Sequence, residues 1–369
     1  MGKTVTHLII GLGKGGAETM LYQVLKYRST PDLSYRVISL GASHFYEEPI
    51  RKLGYEVIEL DIRKRPIWTF LKLCGLLRGT EILCCWMYHA NFIGYAASRL
   101  SGVKRVIWCI RHSNLDPALN SRLTLWINRM CAKWSKHVDV IAYNGERTRK
   151  VHEAIGYALE KGCILDNGCD FKEYKPDRAA RSQLRKELGL AEEGRIVLSV
   201  TKFTPIKDVP TFLEALSNLR KKNPDIVGVL CGLGIEYTNL QLTALCKEAG
   251  LTMKQDVFLL GLRHDVPKLM AACDVFVLHS AGEAFPNALL QAMACGCLCV
   301  ATDVGETRRI LNRDECIVSA GDSAALTSKM AWALSLPKDI VNQMKLENRK
   351  YVQERFDIHE IVREYEGLF

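Results

Sequence analysis

Short apolar, β-branched runs alternate with helix-patterned segments along the whole chain, and that alternation leaves few folds open. Val5–Ile10, Arg36–Leu40, Tyr55–Leu60, Glu81–Trp86, Arg105–Ile110, His137–Tyr143 and Gly162–Leu165 read as strands. Between them lie segments with apolar residues at helical spacing, such as Met20, Leu21, Val24 and Leu25. A strand that re-enters its sheet in the same direction needs a crossover, and a helix supplies it. The pattern therefore predicts right-handed βαβ units and a parallel sheet covered on both faces. Runs such as RVIWCI, apolar without a break, fit strands buried on both sides. The rhythm breaks across Asp170–Gly194, a charged stretch with Pro176 and one short helical piece, which reads as a linker region. It restarts with Arg195–Val200, Ile226–Cys231, Val257–Leu260, Val275–His279, Cys297–Ala301 and Cys316–Ser319, and helical patterns from Ala324 onward close the chain. Two α/β domains of similar size follow, and 369 residues are enough to give each its own core.

Composition excludes several classes. With 48% hydrophobic and 25% charged residues the chain is globular rather than disordered. No uninterrupted apolar run reaches roughly 18 residues, so no spanning helix is expected. The opening MGKTVTHLIIG reads as a first strand, not as a signal peptide. The 14 cysteines sit inside apolar runs (Cys84, Cys85, Cys109 and Cys231 among them) instead of framing loops. That placement suits buried, reduced thiols and a cytoplasmic location. Cys295, Cys297 and Cys299 alternate but have no matching His or Cys pair nearby, so no metal is expected there. The net charge of +9 is uneven: residues 1–170 hold 24 Lys and Arg against 15 Asp and Glu, and the remainder is balanced. An anionic partner for the first half, or simply a solvated basic surface, would account for it. No nucleic-acid partner is expected.

Three segments carry chemistry. GLGKGGAE, Gly11–Glu18, follows the first strand and opens a helix, where glycines let a ligand approach the backbone and the helix N-terminus offers free N–H groups to an anion. Gly11, Gly13 and Gly16 satisfy a dinucleotide spacing, but the second strand ends SLGAS without the acidic ribose ligand. A plain tight turn is the alternative. VTKFTPIKD, Val200–Asp208, places Lys202 and Lys207 at the carboxyl end of the second domain's first strand, where open α/β sheets bind ligands and where two lysines suit a diphosphate. SAGEAFPNALLQAMACG, Ser280–Gly296, leads from a strand end through Glu283 and Pro286, at the first turn, into a helix whose Leu289, Leu290 and Met293 face a core.

Taken together and in order, these motifs resemble glycosyltransferase family 4, retaining enzymes of the GT-B fold. Further matches are DNGCD at Asp166–Asp170, CGLGIE at Cys231–Glu236, LLGLRHDVPKLMAACDVFVLHS, GEAFPNALLQAMACG and the ending YVQERFDIHEIVREYEGLF. The resemblance implies two Rossmann-like domains facing each other across a cleft, residues 1–172 on the acceptor side and 173–348 on the donor side, with 349–369 a helix crossing back to the first domain. It implies that Gly15, Gly16, Lys202, Lys207, Gly232, Leu262 and Arg263 bind the donor. Glu283 would hold sugar hydroxyls, with Ala284, Phe285, Pro286 and Asn287 lining the sugar or diphosphate and Gln291 meeting the nucleotide ribose. Three positions depart from the family pattern. Gln291 replaces the second signature Glu and loses charge assistance. Lys202 replaces an Arg and loses its bidentate geometry. Thr201 replaces a glycine.

The activity implied is transfer of a hexose-type sugar from a nucleoside-diphosphate sugar, UDP being the expected carrier, with retention of configuration. No D-x-D motif occurs, so a metal-independent reaction without a cofactor is expected, with Lys202 and Lys207 meeting the charge of the leaving diphosphate. His112 aligns with the family's active-site histidine and His89 is the second candidate; His89, Arg111 and Asn114 are expected to hold the acceptor. The segments Arg63–Gly79 and Arg122–His137 mix Arg and Lys with Trp and Leu. They fit an anionic membrane surface at the inner face, from which a polyprenyl-diphosphate-linked saccharide would be reached, and equally helices packed on a sheet. A nucleotide-sugar 2-epimerase and an inactive nucleotide-sugar-binding relative share this architecture.

Overall fold

The computed structural model describes residues 3–42, 44–117 and 120–369. It divides into two compact units, Met1–Gly168 with Ile358–Phe369, and Cys169–Asp357. The first unit is built on β1 (Lys3–Ile9), β2 (Leu33–Ser39), β3 (Glu56–Glu59), β4 (Ile82–Trp86), β5 (Arg105–Ile110), β6 (Val140–Tyr143) and β7 (Gly162–Ile164). These form one parallel sheet in the order β3-β2-β1-β4-β5-β6-β7. The second unit carries β8 (Arg195–Val200), β9 (Ile226–Cys231), β10 (Val257–Leu259), β11 (Val275–Leu278), β12 (Leu298–Thr302) and β13 (Ile317–Val318), parallel in the order β10-β9-β8-β11-β12-β13. All thirteen strands expected from the sequence form, and each unit is doubly wound.

Strand alternation sorts the first unit's core onto two faces. Val5, Ile9, Cys84, Trp86 and Ile107 point to one face, which is closed by helix Gly16–Lys26 and by Ile358, Ile361, Val362 and Tyr365 of the final helix. Leu8, Leu83, Cys85 and Trp108 point to the other, closed by helices Pro66–Leu77, Tyr88–Ser101 and Arg122–Trp134. The second unit packs helices such as Val209–Arg220, Asn287–Ala294 and Ser323–Ser335 around its sheet. All cysteines are free and nearly all buried, as their apolar settings foretold.

Two sequence expectations are corrected. The stretch read as a linker is packed: helix Ala180–Leu188 buries Ala180 and Leu184, and its fully buried Arg185 reaches Asp274 at 2.7 Å. One of its charges, Arg185, is paired inside the fold, while others such as Lys186 and Glu187 stay exposed. The chain also returns to the first unit at Ile358 rather than at 349, because helix Lys338–Arg355 buries Met344, Asn348 and Val352 within the second unit.

Candidate active site

In each sheet the strand order reverses once, between β1 and β4 and between β8 and β11. Loops leaving the carboxyl ends on either side of such a reversal part and open a crevice. In the second unit, Lys202 follows β8 and Glu283 follows β11, so the two sequence motifs meet at this reversal. Their loops are tied in three places. Ala281 donates its N–H to Ile206 O at 2.9 Å. His279 Nδ1 meets Asp208 O at 3.2 Å, and Lys207 Nζ pairs with Glu283 Oε1. Ser280 Oγ also donates to Glu283 Oε1, at 2.9 Å. The lysine and the glutamate side chains keep 24% and 14% of their surface exposed, so the pair stands at the crevice wall, reachable by a ligand.

His279 was not expected at the site. It is buried, and burial lowers its pKa to about 4, so the ring is neutral. A carbonyl only accepts, so Nδ1 carries the proton toward Asp208 O and Nε2 accepts from Ser199 Oγ at 2.8 Å. Asp208, with φ of +49°, also caps helix Val209–Arg220 through Thr211 N. A polar residue closing the wholly apolar run VFVL was the signal in the sequence.

Two glycines set the crevice walls. At Gly232, with φ of +141°, a Cβ would stand 1.8 Å from Thr201 O, which fits the N–H of Thr201 bonding Cys231 O at 2.9 Å. At Gly305, with φ of +52°, a Cβ would lie 2.6 Å from Glu283 O and 2.4 Å from Ala284 O. Gly305, likewise unexpected, thus lets the loop after β12 press against the backbone of Glu283. Pro286 precedes helix Asn287–Ala294 as its N-cap rather than lying in its first turn. Leu289, Leu290 and Met293 are buried as expected, Asn287, Ala284 and Gln291 are half-buried, and Phe285 is buried against Phe356 with ring centroids 5.8 Å apart. Leu262 is half-exposed. Arg263 is held by Asp265 at 2.7 and 2.8 Å and by Glu187, and these bonds push its pKa upward.

In the first unit a cleft of about 950 Å³ opens at the β1/β4 reversal, lined among others by Gly11, Glu18, Arg63, Lys64, His89 and Leu123. Gly15 caps helix Gly16–Lys26. His89 lies in the first turn of helix Tyr88–Ser101, half-buried; burial and the Arg63 cation lower its pKa. His112 follows β5, its ring edge-on to Tyr88 with centroids 6.3 Å apart, and burial lowers its pKa too. Asn114 organises its own loop, accepting from Asp116 N at 2.8 Å and Asn120 Nδ2 at 3.0 Å. Arg111, expected at the acceptor, turns inward. It lies over Trp86 (5.5 Å) and Tyr365 (5.3 Å), bonds Asn167 Oδ1 and Leu165 O, and is lowered to about 10 by burial. Among the described residues one trio, His44, Glu47 and Glu59, is arranged like cation ligands. His44 bonds both carboxylates at 2.9 and 2.7 Å and Arg51 takes Glu47, which accounts for the cluster without an ion.

Fold and site together define a protein of the GT-B class, two doubly wound parallel α/β units with a charged crevice at a strand reversal. Its fold matches that of Anabaena Alr3699/HepE, solved in complex with UDP and glucose, with a TM-score of 0.85 over 99% of this chain and 98% of that one at 20% identity. The family described as Glycosyl transferases group 1 matches residues 180–351. The N-acetylgalactosamine-N,N'-diacetylbacillosaminyl-diphospho-undecaprenol 4-alpha-N-acetylgalactosaminyltransferase of Campylobacter jejuni is 32% identical over 83% of this chain and 82% of its own. The chain belongs to the glycosyl transferases group 1 family. It is also 26% identical to the UDP-Gal:alpha-D-GlcNAc-diphosphoundecaprenol alpha-1,3-galactosyltransferase of Escherichia coli over 62% of its length, and spans only 57% of that enzyme.

Proposed function

We propose that this chain is a retaining, metal-independent glycosyltransferase of family 4 that moves a sugar from a UDP-sugar to a polyprenyl-diphosphate-linked saccharide in surface polysaccharide synthesis. The observation that carries this reading is the meeting of Lys207, Glu283 and Ser280 at the β8/β11 reversal, with Lys202 entering the same loop. In the reaction the bond from the anomeric carbon to the diphosphate breaks and its electron pair leaves with the phosphate oxygen. The acceptor hydroxyl forms the new bond on the same face, and its proton passes to the departing phosphate. Lys202 and Lys207 oppose the charge that develops there, and Glu283 holds the sugar. Gln291 bonds the ribose as a neutral amide. The acceptor is taken by the first unit, whose cleft is lined by His89 and Arg63. The two relatives' names, one with UDP-Gal and both with diphosphate-linked undecaprenol, support donor and acceptor classes.

A screen of nucleotide sugars read by released nucleotide, on lipid-linked acceptors, tests this. Transfer with retained configuration is expected, and Lys202→Ala and Glu283→Ala should each lower it by roughly 100-fold or more. Epimerised donor, binding without turnover, or near-normal activity in both variants would refute it.

A lipid-linked acceptor calls for contact with a membrane, and exposed apolar side chains of the first unit support that reading. Ile67 (77% exposed), Trp68 and Leu71 (63%) project from helix Pro66–Leu77, and Leu123 (60%) and Trp126 from helix Arg122–Trp134. Both helices start at the carboxyl edge of the sheet, where Leu123 and Lys64 already line the cleft. Arg65 and Lys72 add positive charge, which suits an anionic bilayer at the cytoplasmic face. Flotation with vesicles containing phosphatidylglycerol should carry the protein, and Ile67→Glu with Trp68→Glu should abolish it. A protein that stays unbound even at low salt would rule this surface out.

A further inference from the structure

We propose that the Lys207–Glu283 pair is an exchangeable tie that makes the donor site favour an intact nucleotide sugar over the bare nucleoside diphosphate. The inference rests on the donor-site reading above and concerns how that site is regulated.

The three ties between the Ile206 and Ala281 loops are unlike one another. The Ala281 N–H to Ile206 O bond belongs to the backbone. The tie through His279 is buried, with both ring nitrogens engaged and the ring 5.0 Å from that of Phe212. Neither depends on a partly exposed side chain that a ligand could draw away. The Lys207–Glu283 tie is made by two side chains that remain partly exposed, so it can open without unfolding anything. Gly305 packs its backbone on that of Glu283 and Ala284, which fixes where the carboxylate starts from.

A diphosphate in this crevice draws Lys207 toward itself. The Glu283 carboxylate then faces the diphosphate without Lys207 between them, and two anions in a partly dehydrated wall repel. An intact donor removes the conflict, because its sugar hydroxyls donate to the carboxylate while its phosphates take the ammonium. Both partners of the pair are replaced together. Once the sugar has been transferred, the carboxylate has lost its hydroxyl donors, Lys207 returns to it, and the nucleoside diphosphate is expelled. Ser280 Oγ, at 2.9 Å from the same carboxylate oxygen, keeps Glu283 in place through the exchange. Glu283 therefore sets the balance between donor capture and product release as well as contacting the sugar.

The expected result is counter-intuitive for a substrate-binding residue. Glu283→Gln keeps the shape of the side chain and removes its charge, so it should bind UDP more tightly than the unmodified protein does, on the order of tenfold by calorimetric titration. The advantage of a UDP-sugar over UDP should shrink correspondingly. Were Glu283→Gln unstable, the comparison of Lys207→Met with the Lys207→Met/Glu283→Gln double variant reads the same repulsion, and the double variant should bind UDP more tightly. Equal or weaker UDP binding on loss of the carboxylate, in whichever pair is compared, overturns the exchange while leaving the donor site standing. Failure of UDP, GDP and ADP alike to bind the unmodified protein and the variants overturns the donor-site reading, and the exchange with it.

Discussion

At Gly305 a single missing methyl group decides where the Glu283 backbone lies. The positive φ of +52° and the carbonyls of Glu283 and Ala284 leave space for hydrogen alone. Gly305→Ala should displace that loop and lower sugar transfer roughly tenfold or more, while urea unfolding shifts by about 1–2 kcal/mol. A variant with unchanged turnover would mean that the loop tolerates the shift. The sequence did not flag Gly305, because one glycine in TDVGE after a strand looks like any turn. The clustering of Lys207 with Glu283, by contrast, was legible, since strand ends in a parallel sheet share one edge and both residues follow such ends. The inward placement of Arg111 was not legible for a related reason. A basic residue after a strand looks the same whether it turns outward or inward, and its inward turn is decided by Trp86 and Tyr365, the latter from the far end of the chain.

Among elements, the strands were the most legible, because each buried strand is an apolar run of its own. Helices of mixed charge were least so: Ala180–Leu188 resembled a linker since its Arg185 finds Asp274 only through the fold. The final helix, Ile358–Gly367, shows what holds such an element. Glu366 accepts from Ser29 N at 3.0 and 3.1 Å, Ser29 Oγ at 2.5 Å, Thr30 Oγ1 at 2.9 Å and Tyr35 Oη at 3.1 Å. Burial alone would raise its pKa, but the bonds from Ser29 and Thr30 outweigh that and hold it below the ordinary carboxylate range. Glu366→Ala strands these donors, and it should cost about 2–4 kcal/mol in unfolding of the first unit. Because the folded pKa is depressed, the contribution of Glu366 is present above the unfolded pKa and disappears as pH falls through the folded one. The Glu366→Ala penalty should therefore shrink in strong acid, and a penalty independent of pH would assign the loss to packing instead.

Across the whole molecule, three buried histidines tie the stability of both units to pH. Burial lowers His7 to about 3, and His152 and His279 to about 4. His7 lies in the first unit's core, its Nδ1 accepting from Trp86 Nε1 at 3.2 Å and its Nε2 without a partner. His152 meets Tyr88 Oη and Thr148 O, each at 2.7 Å. In the unfolded chain these rings take up a proton as pH falls below about 6.5, whereas the native units refuse it until much lower pH. Their neutral form is favoured only by the fold, so stability is complete above about pH 6.5 and declines below it. At pH 5, where exposed carboxylates are still largely ionised, each histidine should have removed about 2 kcal/mol. Two of the three lie in the first unit, which also holds five of the six tryptophans. Urea unfolding followed by tryptophan fluorescence should therefore lose more stability between pH 7 and pH 5 than the second unit loses when followed through Trp332. His152→Gln should flatten the first dependence and His279→Gln the second. Equal slopes for the two units, unchanged by either substitution, would show that acid acts through the net positive charge instead of through these buried rings.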